Sequence, residues 1–389
     1  MEKPVVALVP LSVYDQAQAD AAVREGLRLL GGISRFVRPE ERILLKPNLL
    51  GRALPQKAVT THPAVFEAVA RLLREEGFDR LSYGDSPGNP STTPEKAAQA
   101  CGIAQAAQRL GVERADFNSG SLVHYREGRT AKSFYLCHGV QACDALINLP
   151  KMKTHALERI TGAVKNLYGC VCGVNKATGH ARFPNSEVFA DMLVDLNRCV
   201  APRLHIMDGV VAMEGNGPTS GTPVSMNMLL FSADPVALDS LFATLVHLSP
   251  AAVPTCVSGQ REGLGVMDTA EITVRTPDGD LSVAQAVERY GKPEFNVFRG
   301  VMKKGFLFKV MPLLPFLQHR PRVDHTKCVA CGICEESCPV PEKAVHAGHG
   351  QKARYDYRKC IRCYCCQEMC PAKAIEVYRN PLSRLLSGQ

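Results

Sequence analysis

The sequence predicts an α/β protein: a mainly parallel sheet with flanking helices, followed by a small C-terminal α+β module. Three observations carry this. Short apolar runs bounded by turn residues alternate with stretches of helical periodicity along most of the chain, which is the pattern of a sheet covered by helices. That alternation contains no internal repeat. Cysteine is unevenly spread, with nine of the sixteen between Cys328 and Cys370. They follow the proline-rich MPLLPFLQHRPR, so composition changes near residue 320.

The strand candidates, in order, are VVALVP, RILLKPN, RLSYGDS, DALINLP, RLHIMDG and MNMLLFSA. Each is short, apolar and ended by turn residues. Helical stripes fall between some of them. Val65, Val69, Leu72 and Leu73 recur at i, i+4, i+7 and i+8 behind Pro63, a residue suited to a first helical turn. Phe189, Met192, Leu193, Leu196 and Val200 form a second stripe. Leu238, Leu241, Phe242 and Leu245 form a third, opened by Asp234-Pro235. These stripes are expected to be packing faces on the sheet. The domain reading is an α/β domain over 1–295, a proline-rich linker over 296–322, a cysteine module over 323–379 and a tail over 380–389.

Composition excludes several classes. Charged residues at 22% and apolar residues at 46% suit a folded chain with a substantial core. The net charge of +8 is not gathered into a long basic run, so no nucleic-acid partner is expected. The start MEKPVVALVP lacks the features of a signal peptide. The expectation is therefore a cytoplasmic, reducing compartment, in which sixteen cysteines do not form a disulfide framework. The stretch 305–318, GFLFKVMPLLPFLQ, is too short to span a bilayer and holds Lys309 and two prolines. It is read as a packed linker, with contact at a membrane surface as the alternative. No transmembrane segment is expected.

The cysteine spacing is specific. Cys328, Cys331, Cys334 and Cys338-Pro339 give C-x2-C-x2-C-x3-C-P, and Cys360, Cys363, Cys366 and Cys370-Pro371 repeat it 32 residues on. Three thiolates at this spacing wrap one cluster and the fourth reaches the other. The expected ligand sets are Cys328, Cys331, Cys334 and Cys370 for one [4Fe–4S] cluster, and Cys338, Cys360, Cys363 and Cys366 for the second. A zinc site is disfavoured, because zinc uses paired cysteines with no third residue at the same spacing. The motifs resemble those of bacterial two-cluster ferredoxins at every ligand position. Cys365 is read as a buried extra thiol, with exchange of register with Cys366 as the alternative. The stretch between the motifs is expected to form a loop and hairpin with His346 and His349 on its surface. Clusters capped by four cysteines move one electron at a time and make no bonds, so any chemistry belongs to the larger domain. A redox partner protein is implied.

In that domain polar groups recur where strands end: Lys46-Pro47-Asn48, Gly84 to Gly88 with Asp85, Lys151 with Lys153 and His155, and Asp208-Gly209. Lys165 and Asn166 follow in TGAVKNLYG. Open α/β sheets gather ligands at the carboxyl ends of their strands, so these groups are expected to share one crevice. EGNGPTSG, holding Glu214 and Gly217, offers backbone amides to an anion. No G-x-G-x-x-G and no Walker lysine is present, so neither a flavin nor a nicotinamide signature is readable. The set KPNL, THP, GDSPG, NLPKMKTH, TGAVKNLYG, DGVVAMEGNGPTSG and ADPVALD resembles the motifs of the domain-of-unknown-function family 362. That resemblance implies an α/β fold, often fused to a ferredoxin module, and supplies no reaction. CVCGVNKATGH departs from it in carrying Cys170 and Cys172, which are read as small buried thiols rather than a redox pair.

The functional expectation is an iron–sulfur oxidoreductase that passes electrons to an anionic small molecule. Lys153, His155, Lys165 and Asp208 are the catalytic candidates. Lys46, Asn48, Asp85, Lys151, Asn166, Glu214 and Gly217 are the substrate-binding candidates, and the four lysines are expected to converge on one anion. The alternative is a non-catalytic electron-transfer protein whose α/β domain docks a redox partner.

Overall fold

The computed structural model describes residues 3–89, 92–173, 175–300, 319–348 and 350–380. Most of the expected linker, including 305–318, lies outside the described residues, as do His349 and the tail beyond Asn380.

Among the described residues, eleven strands make one sheet: β1 (Val5–Pro10), β2 (Ile43–Pro47), β3 (Leu81–Tyr83), β4 (Glu113–Arg114), β5 (Ala145–Leu149), β6 (Lys151–His155), β7 (Arg159–Thr161), β8 (Leu204–Glu214), β9 (Thr222–Ser232), β10 (Thr273–Thr276) and β11 (Gly279–Ser282). The order is β11-β10-β1-β9-β8-β5-β2-β3-β4, with β6 beside β8 and β7 beside β6. The run β8-β5-β2-β3-β4 is parallel throughout, while β9 pairs antiparallel with both β1 and β8. The sheet is thus mixed and mainly parallel. Its centre is covered on both faces, which is why the central strands read as unbroken apolar runs. Side chains alternate: Leu44 joins the core that holds Phe189 and Phe242, while Ile43 and Leu45 join the core that holds Phe66.

The three predicted stripes are the helices Pro63–Glu75, Ser186–Val200 and Pro235–Leu245. Their starts are set locally. Asn185 accepts the Val188 amide at 2.8 Å, and Asp234 accepts those of Val236 and Ala237 at 2.8 Å each. Among the described residues no helix is long and apolar enough to cross a membrane.

Both edges of the expected linker are packed. Phe295 is 0% exposed and meets the Phe242 ring edge-on at 6.4 Å, and Arg299 donates to the carbonyls of Val246 and Phe295. Arg320–Val323 pairs antiparallel with Ile375–Tyr378 inside the module. The stretch between the cysteine motifs forms the expected hairpin, Val345–Gly348 with Gln351–Tyr355, and His346 is exposed beside Glu335.

The module is seated on the loop that follows β8. The Gln367 side chain donates to Asn216 O (3.1 Å), Asn216 Oδ1 (3.0 Å) and Gly217 O (3.2 Å). Asn216 donates back to Ile375 O at 3.1 Å, and Thr219 to Glu368 O at 2.9 Å. A Cβ on Gly217 would lie 2.3 Å from Thr154 O, so glycine is needed there for close packing. The glycine-rich loop expected to cradle an anion instead receives the module.

Candidate functional site

The cations of NLPKMKTH do not trail off the end of a strand, as the sequence suggested. Pro150 ends β5, and the chain then re-enters the sheet as β6, paired in parallel with β8. Lys151, Lys153 and His155 occupy alternate positions of β6 and so share one of its faces.

A cavity of about 580 Å³ opens beside this strand. The α/β body supplies Lys153, His155, Lys165 and Asp85 to its wall, and the cysteine module supplies Cys338 and Glu368. Asn48 and Asn166 also line it. They belong to a run of amides: Lys153 Nζ donates to Asn48 Oδ1 (3.0 Å), Asn48 to Asn166 Oδ1 (2.8 Å), and Asn166 to Asn148 Oδ1 (2.7 Å). Each amide is oriented by the next, so the acceptor offered to Lys153 is fixed.

The expectation of four lysines around one anion needs correction. Lys46 is buried 2.9 Å from Asp85 Oδ1, and Asp85 accepts the Leu49 amide through its other oxygen at 2.6 Å. Lys151 donates to Asp208 at 2.7 Å and to Tyr14 OH at 2.8 Å. Asp208 also accepts from Tyr14 OH (2.7 Å) and from the His62 amide (2.9 Å). Lys151 and Asp208 therefore neutralise each other behind the cavity and neither lines it. Glu214 accepts the Asn296 amide at 2.7 Å and is likewise outside it. The reason is non-local: the acids matching Lys46 and Lys151 come from the loop after β3 and from β8.

Lys153 and Lys165 do reach the cavity, and among the described residues neither makes an ion pair with a carboxylate. Besides Asn48, Lys153 donates to Val59 O at 2.7 Å. Burial lowers its pKa, and Lys165 and Lys151 lower it further, to about 7. Lys165 lies 5.8 Å from the ring centroids of both Tyr168 and Phe189. Glu158, an acid within electrostatic reach of Lys165, is buried with neither carboxyl oxygen hydrogen-bonded. Burial pushes it up to about 8 in spite of Lys165, so it is neutral at pH 7.

His155 Nδ1 accepts the amides of Leu157 and Glu158, each at 3.1 Å, which places the ring proton on Nε2. Nε2 lies 2.8 Å from Glu368 Oε1 of the module. Burial lowers the ring to about 4, so it is neutral at pH 7. Burial raises Glu368, but His155, Lys165 and His180 outweigh it, and the group stays a carboxylate.

Sequence reasoning missed Lys176, His180, Glu336, Lys343 and Glu368 of this wall. Lys176 donates to the carbonyls of Ser86 and Pro87, and burial lowers it to about 8. His180 stacks on Phe189 at 4.3 Å and is lowered by burial to about 3. Both stand on the helix Asn175–Arg182 at i and i+4, hence on one face. That spacing was readable in CVCGVNKATGH, where the cysteines drew the attention; Cys170 and Cys172 are buried free thiols. Glu368 is hidden between two cysteines of the second motif.

Within the module, Cys328, Cys331, Cys334 and Cys370 line one small cavity together. Cys338, Cys360 and Cys366 pack in the module's apolar cluster together with Cys334 and Cys370. Amides and a hydroxyl face the sulfurs: Ala374 N donates to Cys370 (3.3 Å), Ala344 N to Cys338 (3.4 Å) and Tyr355 OH to Cys366 (3.1 Å). Soft sulfur donors with such hydrogen bonds fit iron–sulfur clusters. Cys365 is buried and interacts with Cys363.

The family described as domain of unknown function (DUF362) matches residues 43–244, and the 4Fe-4S dicluster domain matches residues 320–371. A thylakoid-associated protein of Synechocystis is 36% identical over 269 residues, covering 69% of this chain and 82% of that protein. Among solved structures, the lactate racemase apoprotein of Thermoanaerobacterium thermosaccharolyticum aligns at 11% identity and a TM-score of 0.38, over 62% of this chain and 57% of that one. A structural-genomics protein of Thermotoga maritima aligns at 10% identity and a TM-score of 0.35, over 63% of this chain and 59% of that one. This chain thus spans less than two thirds of either solved chain.

Proposed function

The chain belongs to the DUF362 family and carries a 4Fe-4S dicluster domain, and from that premise we propose that it is an iron–sulfur oxidoreductase whose crevice reduces an anionic small molecule. One observation carries the reading. The cavity has a lysine-bearing wall from the sheet and a second wall from the cluster-binding segment, including Cys338 and Glu368.

In this reading Cys328, Cys331, Cys334 and Cys370 hold one [4Fe–4S] cluster, and Cys338, Cys360, Cys363 and Cys366 hold the other. Such clusters supply and accept single electrons when bound. The protein's own residues do the rest. Lys153 and Lys165 seat the anion and oppose the negative charge it gains on reduction. Lys153, with a pKa near 7, gives up a proton from Nζ to the reduced product. Asn48 and Val59 O aim that nitrogen. His155 holds the module's Glu368 at the cavity edge. Asp208, committed to Lys151 and Tyr14, holds β6 in place. A redox partner protein in a reducing compartment delivers the electrons.

The test uses full-length protein purified anaerobically. Organic anions released on denaturation are identified by mass spectrometry and added back to dithionite-reduced protein, and cluster reoxidation is followed optically. Wild type should be reoxidised. Lys153→Met should not be, although dithionite still reduces its clusters. Absence of any co-purifying organic anion, together with identical behaviour of the variant, would overturn the proposal.

A further inference from the structure

Four lysines line the crevice: Lys153, Lys165, Lys176 and Lys343. Among the described residues their polar partners are neutral. Lys153 uses an amide and a carbonyl, Lys176 the carbonyls of Ser86 and Pro87, and Lys343 the carbonyl of Cys338 at 2.8 Å. Lys165 lies over aromatic faces and, among the described residues, makes no ion pair. The lysines behind the wall, Lys46 and Lys151, are each matched by an aspartate. Of the acids that line the cavity, Asp85 is taken by Lys46, Glu368 keeps its charge beside neutral His155 and within reach of Lys165, and Glu336 is exposed on the module, so two carboxylates stand against four lysines. The cavity therefore faces its contents with an excess of positive charge that the protein does not cancel.

The lysines are held at different places in the wall. Lys153 stands on β6 and is tied to Asn48 and Val59 O. Lys176 stands on the helix Asn175–Arg182 and is tied to the Ser86–Pro87 turn. The wall also carries apolar surface from Leu50, Phe117, Tyr168 and Met369. A volume of about 580 Å³ is of organic-ligand size and far larger than an inorganic anion needs.

We propose that the crevice takes an organic dianion, with one acidic group at Lys153 and Lys165, the second at Lys176, and an apolar body between them. This rests on the reading that the crevice binds an anion, and names its class.

Calorimetry on the full chain with clusters bound tests it, using inorganic phosphate, benzoate, benzene-1,4-dicarboxylate and naphthalene-2,6-dicarboxylate as probes. At least one dicarboxylate should bind about tenfold or more tighter than benzoate, the gain from one further partly buried charge pair. Lys176→Met should bring dicarboxylate affinity down to that of benzoate, and Lys176→Arg should retain most of the difference. If phosphate or benzoate binds as tightly as both dicarboxylates, or if Lys176→Met changes neither, the dianion inference is overturned while the anion-binding crevice stands. If none of the four binds, the proposed function falls with it.

Discussion

Anion binding should load a proton onto Lys153, by an amount that follows from its surroundings. Burial, then Lys165 and Lys151, bring its ammonium to about 7. In the empty crevice at pH 7 the group is therefore about half protonated. A carboxylate seated against Nζ supplies the missing opposite charge and lifts the pKa by more than about one unit, so binding at pH 7 takes up about half a proton. The charged amine is the binding form, present below pH 7 and lost as pH rises through it. Benzoate affinity should fall about tenfold, about 1.4 kcal/mol, between pH 6 and pH 8. Titration calorimetry in zwitterionic buffers of different ionisation enthalpy reads the uptake as the slope of observed enthalpy against buffer enthalpy. Lys153→Met should abolish the half proton and flatten the pH profile. A zero slope in wild type at pH 7, or an affinity unchanged from pH 6 to pH 8, refutes the reasoning.

Three further sets of outcomes are expected. Iron and sulfide analysis after anaerobic reconstitution should give about eight of each per chain, as two four-iron clusters require. Cys370→Ser should damage the cluster held by Cys328, Cys331 and Cys334 and spare its neighbour, and Cys365→Ala should retain both; loss of a cluster in Cys365→Ala would reassign the ligand. Phe295→Ala removes a ring that is 0% exposed and should cost about 3–5 kcal/mol. Accordingly, a body fragment ending at Gly300 should unfold at a clearly higher temperature than one ending at Pro293, and equal midpoints would show that the segment 294–300 does not support the core.

The fold was legible because its signals are local. The stripes behind Pro63 and Asp234-Pro235, the apolar central strands and the two cysteine motifs can each be read within about a dozen residues. The site was legible only in part. Lys153, His155, Lys165, Asn48, Asp85 and Asn166 fall on one cavity wall, as expected from polar groups gathering on one side of a parallel sheet. Which lysines stay uncancelled was not readable, since Lys46 and Lys151 meet Asp85 and Asp208 across the sheet. Pro150 disguised β6, because a proline after an apolar run reads as the strand's end. Glu368 and Gln367 were passed over as spacers between ligands, and the glycines after Glu214 carry no local mark that separates an anion cradle from a close-packed seat.

The seating of Gln367 and Glu368 bears on how far the two halves are exchangeable. Both residues lie between Cys366 and Cys370, and both touch the α/β body. A ferredoxin domain grafted from elsewhere would keep the cysteines and their spacing yet bring other side chains to this pair of positions. It would face Asn216 and His155 with nothing matched to them. The segment between Cys366 and Cys370 thus belongs to the cysteine module and to the wall of the body's cavity at once, and a graft would have to keep Gln367 and Glu368 to preserve that wall.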